Sequence, residues 1–133
     1  MKLTLGEVLP TRTFTIDRSA LKAYADASGD QNPIHQDESF AKSVGLPNVI
    51  AHGMLTMALG GTYLADFFGG SSKIRKFGAR FTKPVVVAED VPAKVEFSGA
   101  ITAIESGIVT VELTARHGDQ KVLGMAKAEI TID

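Results

Sequence analysis

A chain of 133 residues, 44% hydrophobic and 22% charged, has the size and composition of one globular domain, so residues 1–133 are read as a single unit with one core. Fourteen Lys+Arg against fifteen Asp+Glu leave a formal charge of −1, which supplies no global field for nucleic acid or an anionic membrane. The absence of cysteine excludes disulfides, thiolate nucleophiles and Cys-type zinc sites.

Residues 1–7 (MKLTLGE) lack the apolar run of a secretory signal, and the expected location is the cytoplasm. Residues 11–16 alternate β-branched or aromatic side chains with polar ones, which predicts a first strand. Asp17 reads as the N-cap of a helix through Leu21, Tyr24 and Ala25 that ends at Ser28-Gly29-Asp30. Asn32-Pro33 keeps the next segment out of helix. A short helix is expected over 37–44, closed by Gly45, followed by a connector over 46–52.

From Gly53 to Phe68 the pattern predicts a long, almost wholly apolar helix. It is shorter than the roughly 18–20 residues a membrane span needs, so a buried helix surrounded by protein is expected. Ala58, Gly60 and Gly61 remove bulk from its middle and invite close approach. After Gly69 the signal changes to strands, over 73–82, 91–100, 108–117 and 121–132, with a tight hairpin turn at Gly118-Asp119. Successive strands with short connections imply an antiparallel sheet with one face to cover, and the buried helix is the cover. The expected class is therefore α+β, a curved antiparallel sheet wrapped around one central helix: a single hot-dog fold.

Three histidines are available for chemistry. His117 adjoins the hairpin turn and reads as a solvated turn residue. His35 instead lies five positions after Asp30 in Ser28-Gly29-Asp30-Gln31-Asn32-Pro33-Ile34-His35, a stretch that cannot be regular helix. A loop lets carboxylate and imidazole converge on one water and move protons near neutral pH. Asn32 can orient that loop through side-chain to backbone hydrogen bonds. The same residue types also make ordinary exposed turns, and the composition alone leaves that reading open.

Gly53 falls where the long helix begins. Its N–H is a first-turn donor without an intrahelical acceptor, suited to an oxyanion or a thioester carbonyl oxygen. It could equally just let the chain enter the helix, while His52 reads as an orienting residue of that turn. No His-x-His or His-Glu-x-x-His pattern occurs, so no catalytic metal is expected. The basic residues Lys73, Arg75, Lys76, Arg80 and Lys83 fit a charge-protected strand edge, or a docking patch for phosphates or an acidic carrier protein.

Three segments carry a family resemblance: YADASGDQNPIHQDESFA over 24–41, IAHGMLT over 50–56 and RFTKPV over 80–85. Together they resemble the MaoC-like (R)-specific enoyl-CoA hydratases and (3R)-hydroxyacyl-thioester dehydratases, and most nearly the catalytic-type subunit of the mycobacterial 3-hydroxyacyl-acyl-carrier-protein dehydratase. The resemblance implies Asp30 and His35 as the catalytic pair and reversible dehydration of a CoA or acyl-carrier-protein thioester, with no cofactor. It implies a homodimer, or a heterodimer with a sister hot-dog subunit. His52, Met54, Gly60, Gly61 and Arg80 are the expected substrate contacts, with the acyl tail running past Gly60 and Gly61. Some hydratases of the family place a serine near where Gly61 stands, and glycine there is expected to widen the pocket. A hot-dog acyl-thioesterase and a non-catalytic acyl-binding partner subunit are the alternatives.

Overall fold

The computed structural model describes residues 2–132. Its elements run β1 (Val8–Ile16), α1 (Arg18–Ser28), α2 (Glu38–Ser43), α3 (Gly53–Phe68), β2 (Ile74–Phe81), β3 (Ala93–Glu105), β4 (Ile108–His117), β5 (Gln120–Lys121) and β6 (Leu123–Thr131). Every strand pair is antiparallel, in the order β1-β3-β4-β6-β2, with the short β5 beside β4. Among the described residues no helix is long and apolar enough to cross a membrane.

Alternation builds the inner face of this sheet. Ala93, Val95, Phe97 and Ile101 of β3 and Val109, Val111, Leu113 and Ala115 of β4 point inward and are buried. In β6 the phase slips by one residue. Leu123 is buried, Met125 projects outward at a positive φ of 49°, and Ala126, Ala128 and Ile130 return to the core. This is a bulge opposite Gly78–Arg80 of β2, and bulges of this kind bend and twist a sheet. Strand β3 runs five residues past the expected Ala100, because its ladder with β4 continues to Glu105↔Ile108. The connecting Ser106 and Gly107 both take positive φ (51° and 78°), the geometry of a two-residue hairpin turn.

The helices start where short polar side chains can cap them. Asp17 accepts from the Ala20 N–H and Asp37 from the Phe40 N–H, each satisfying a first-turn donor. Glycines at positive φ, Gly29 and Gly69, end α1 and α3. Arg18 fastens α1 to three later segments of the chain. Its Nε donates to the Val87 carbonyl at 2.7 Å, and its guanidinium also reaches Asn48 and Glu38.

Helix α3 lies against the sheet through Thr56, Gly60, Tyr63, Leu64 and Phe68. The Tyr63 ring stacks on Phe97 at 6.0 Å and its hydroxyl donates to the Pro10 carbonyl. The expectation of a helix enclosed on every side is corrected. Met54, Ala58, Thr62 and Asp66, spaced by four, form an exposed stripe, because one sheet covers only one side of a cylinder. Strand β2, at the end of the sheet order, likewise leaves a free edge carrying Arg75, Lys76 and Arg80. The helix on the sheet's concave side is the hot-dog architecture.

Candidate active site

Gly29 ends α1 at φ 81°, and the chain leaves the helix into Asp30. The Asp30 side chain accepts from the Asn32 N–H at 3.1 Å, and the Asn32 side chain accepts from the Ile34 N–H at 3.2 Å. Asn32 thereby caps a single 3₁₀ turn, Pro33–His35. The expectation that Pro33 would hold this segment out of helix is corrected: proline at the first position starts the turn, since the N–H it lacks is one no helix could satisfy. The turn drives His35 inward to 7% exposure, while Asp30 stays exposed.

Backbone pairing fixes what His35 faces. The connector ahead of α3 pairs with residues 85–87, through Ala51 N–H to the Val85 carbonyl and Val87 N–H to the Val49 carbonyl, each at 2.8 Å. The Ile50 carbonyl sits 2.8 Å from His35 Nδ1. A carbonyl only accepts, so Nδ1 carries the proton and Nε2 keeps a lone pair. Burial pushes the His35 imidazole below its ordinary pKa, and a charge on His52 would push it the same way, while the Ile50 carbonyl and Asp30 oppose both. His35 is therefore a neutral proton acceptor at neutral pH.

His52 is 1% exposed and stacks on His35, with ring centroids 3.9 Å apart and planes 24° from parallel. Its Nε2 donates to the Asp30 backbone carbonyl at 3.1 Å. Ligand-type atoms of Asp30, His35 and His52 all lie within 4.8 Å of one another, the one such trio among the described residues. The stack works against chelation. Imidazole lone pairs lie in the ring plane, and two near-parallel planes do not converge on one ion.

Beside His35 opens a cavity of about 280 Å³, lined also by Gly53, Thr56, Phe81, Lys83 and Leu123. At its wall α3 begins without a side-chain cap, and the first carbonyl to accept is that of His52, from the Leu55 and Thr56 N–H groups. The Gly53 N–H lies before that ladder and belongs to the positive end of the helix dipole. The absent side chain matters here: a Cβ on Gly53 would stand 2.7 Å from the Phe81 ring.

The remaining expected contacts are elsewhere. His52 is not a cavity residue, because its ring is packed behind His35. A Cβ on Gly60 would meet Phe77 and Phe97, each at 3.1 Å, so the missing side chain makes room for those two rings, and Gly60 is not among the cavity-lining residues. Gly61 has nothing within 4 Å of a built Cβ, Met54 is 54% exposed, and Arg80 lies exposed on β2, all outside the cavity lining. Gly60→Ala should therefore cost stability and leave acyl-chain preference unchanged. Overpacking of ~1–3 kcal/mol, partly offset by alanine's helix preference of ~1 kcal/mol, predicts a net loss of about 1 kcal/mol in denaturant melts.

Four contributors carried little sequence signal. Thr56 is buried in the cavity wall and stood out only as a polar break in an apolar helix. Phe81 and Leu123 reach the cavity from strands β2 and β6. The Ile50 carbonyl, which sets the tautomer of His35, is a backbone group with no residue code.

The fold and these groups define a hot-dog protein with a carboxylate–imidazole pair on the loop after α1, stacked through His35 on the residue that precedes the central helix. The chain belongs to the MaoC like domain family, which matches residues 2–118. It is 37% identical over 78 residues to 3-hydroxyacyl-thioester dehydratase X of Mycobacterium tuberculosis, covering 59% of this chain and 27% of that protein. Over 113 residues it is 27% identical to the 3-oxo-4,17-pregnadiene-20-carboxyl-CoA hydratase beta subunit of the same organism, covering 85% and 84% of the two chains. A solved structure described as a MaoC-like dehydratase superposes with a TM-score of 0.96 at 34% identity, over 98% of this chain and 41% of that one. The chain thus spans about a quarter of the first relative and two fifths of the solved chain.

Proposed function

We propose that the chain catalyses reversible syn elimination of water from (3R)-hydroxyacyl thioesters of CoA or acyl carrier protein, giving trans-2-enoyl thioesters. The observation that carries this reading is the placement of His35, with Nδ1 on the Ile50 carbonyl, its ring within 4.8 Å of the Asp30 carboxylate, and Gly53 on the same cavity wall. The names of the relatives, a hydroxyacyl-thioester dehydratase and a CoA hydratase subunit, support it.

In the hydration direction the enoyl thioester lies in the cavity with its carbonyl oxygen toward the Gly53 N–H. Water, held between Asp30 and His35, adds to the β-carbon. Its proton passes to the pair, and the electron pair of the double bond moves onto the thioester as an enolate, stabilised by the Gly53 N–H and the helix dipole. The pair then returns the proton to the α-carbon on the same face. One water is consumed and the pair ends as it began. The two groups share one water, so acid and base are roles of the pair. The thioester itself acidifies the α-proton, so the step draws on no other group.

A dimer is part of the proposal. The exposed stripe of α3, half-exposed Phe81 and the free edge of β2 leave apolar and backbone groups for a second hot-dog subunit, identical or sister, to cover. The subunit naming of the pregnadiene hydratase relative supports that arrangement.

The direct test is loss of enoyl absorbance from crotonyl-CoA and from a longer enoyl-CoA. Turnover is expected; release of free thiol without hydration would indicate a thioesterase and overturn the reading. A pH profile adds a second check. Protonation of Nε2 removes the acceptor, and His35 titrates below its ordinary value of 6.5. Activity should therefore be flat near neutrality and fall only as pH drops below 6.5. An acid limb centred at or above that value would contradict the neutral, buried imidazole.

A further inference from the structure

One buried side chain touches every part of the proposed machinery without reaching the cavity. His52 donates from Nε2 to the Asp30 carbonyl, presents its face to His35 at 3.9 Å, and is bonded through the chain to Gly53. Its own carbonyl receives the first two helical N–H groups of α3, from Leu55 and Thr56. On its far side the Tyr24 ring of α1 meets it edge-on at 4.8 Å. The titratable side chains set against it are Tyr24, Asp30 and His35.

The second half of the Asp30–His35 loop is tied to the connector ahead of α3 by the Ile50 N–H on the Ile34 carbonyl and by His35 Nδ1 on the Ile50 carbonyl, whereas the first half, which carries Asp30, otherwise depends on local bonds. Among the described residues, the other hydrogen bonds of residues 28–32 outside the ladder of α1 are Gly29 to Ala25, Asp30 to Ser28, Gln31 to Asp26, Asn32 to Asp30, Ile34 and His35 to Asn32, and Gln36 to Gln31. Each spans five positions or fewer. The His52–Asp30 bond spans 22 positions and ties the loop to the start of α3. His52 Nδ1, meanwhile, is buried with no hydrogen-bond partner. A buried acceptor left unsatisfied is destabilising, so an apolar side chain here would serve better for packing alone. The ring is present despite that cost, and what it supplies is the Nε2 donor and the flat face.

We propose that His52 is a positioning residue that sets the spacing between the Asp30/His35 pair and the Gly53 N–H. The two halves of the chemistry sit on different segments, water activation on the loop after α1 and charge stabilisation at the start of α3. A syn addition needs both at fixed separation from one substrate. His52 joins them by a directional bond to one, a stack on the other, and a peptide link to the third. Misplacement of a reacting group by about 1 Å can cost on the order of 10²-fold in rate. This inference rests on the hydratase reading, and its test separates the two.

The experiment compares wild type with His52→Met, which fills the space without a donor, and His52→Gln, whose amide nitrogen can replace Nε2 toward the Asp30 carbonyl. Crotonyl-CoA hydration and a thermal melt are measured for each. With wild type active, His52→Met should lose about 10- to 100-fold in kcat with KM within about twofold, since alignment and not ground-state binding is lost. His52→Gln should recover most of that kcat even where its melting temperature falls as far as that of His52→Met. Equal kcat in the folded Met and Gln variants, or wild-type kcat in His52→Met, would overturn the positioning role and leave the hydratase reading intact. An inactive wild type would fail the reading itself. If His52→Met does not fold, His52→Gln decides alone: kcat within about tenfold of wild type is expected, and a larger loss in a folded protein contradicts the donor's role.

Discussion

His35→Gln is expected to lower kcat/KM for enoyl-CoA hydration by about 10²–10⁴-fold, the range for removing a general acid–base group. The amide can still occupy the pocket and face the Ile50 carbonyl, so the fold should persist. What disappears is the lone pair on Nε2. Asp30→Asn should produce a loss of the same order, because the proposed mechanism holds the water between its carboxylate and His35. It is exposed, so the substitution should scarcely change the melting temperature. The double variant should be little worse than the poorer single one, since residues that act as a unit are not additive. Additive losses would mean the two residues act in separate steps and would contradict a shared water. Circular dichroism and steady-state kinetics on the three variants check the set.

Gly53→Ala is the second substitution with a large expected effect. A methyl group at this position would stand 2.7–2.9 Å from three atoms of the Phe81 ring, closer than real contacts allow. Either the ring turns into the cavity or the first turn of α3 shifts away from it. Both outcomes move the N–H proposed to face the thioester oxygen or block the approach to it. Loss of one such donor costs roughly 10²–10³ in rate, and a comparable fall in kcat/KM is expected. Phe81→Ala in the same chain removes the collision and should restore a substantial part of the activity. If the double variant stays as slow as Gly53→Ala, the clash is not the cause and the glycine acts through backbone freedom alone.

Much of this architecture was legible in the sequence because local chemistry and global fold agree. The capping residue Asp17, the terminating glycines and the almost wholly apolar run placed all three helices within a residue or two. Period-two alternation found β2, β3, β4 and β6 for the same reason. The extra length of β3 was not legible, because Ser106-Gly107 resembles any polar turn until both residues are seen at positive φ. Contacts that depend on what lies across the sheet were also out of reach. Gly60 is small in any account of the helix. Whether its empty side faces a ligand or two phenyl rings is decided by Phe77 and Phe97, 17 and 37 positions away. Pro33 illustrates a different limit: a residue that forbids the middle of a helix is the preferred beginning of one.

Asp30 and His35 stood out for their spacing on a non-helical loop, and the structure shows how a single 3₁₀ turn brings the imidazole inward while the carboxylate stays exposed. What no residue pattern could supply is the protonation pattern of the rings. It comes from two backbone carbonyls, those of Ile50 and Asp30, each placed by a tertiary contact.

Hydration of crotonyl-CoA in deuterium oxide, with the product's configuration read by NMR and chiral chromatography, tests the central claim most directly. One catalytic pair acting on one face predicts (R)-3-hydroxybutyryl-CoA carrying a single deuterium at the α-carbon, added syn to the oxygen. An (S) product, anti addition or a mixture of diastereomers formed at the enzyme's own rate would contradict it.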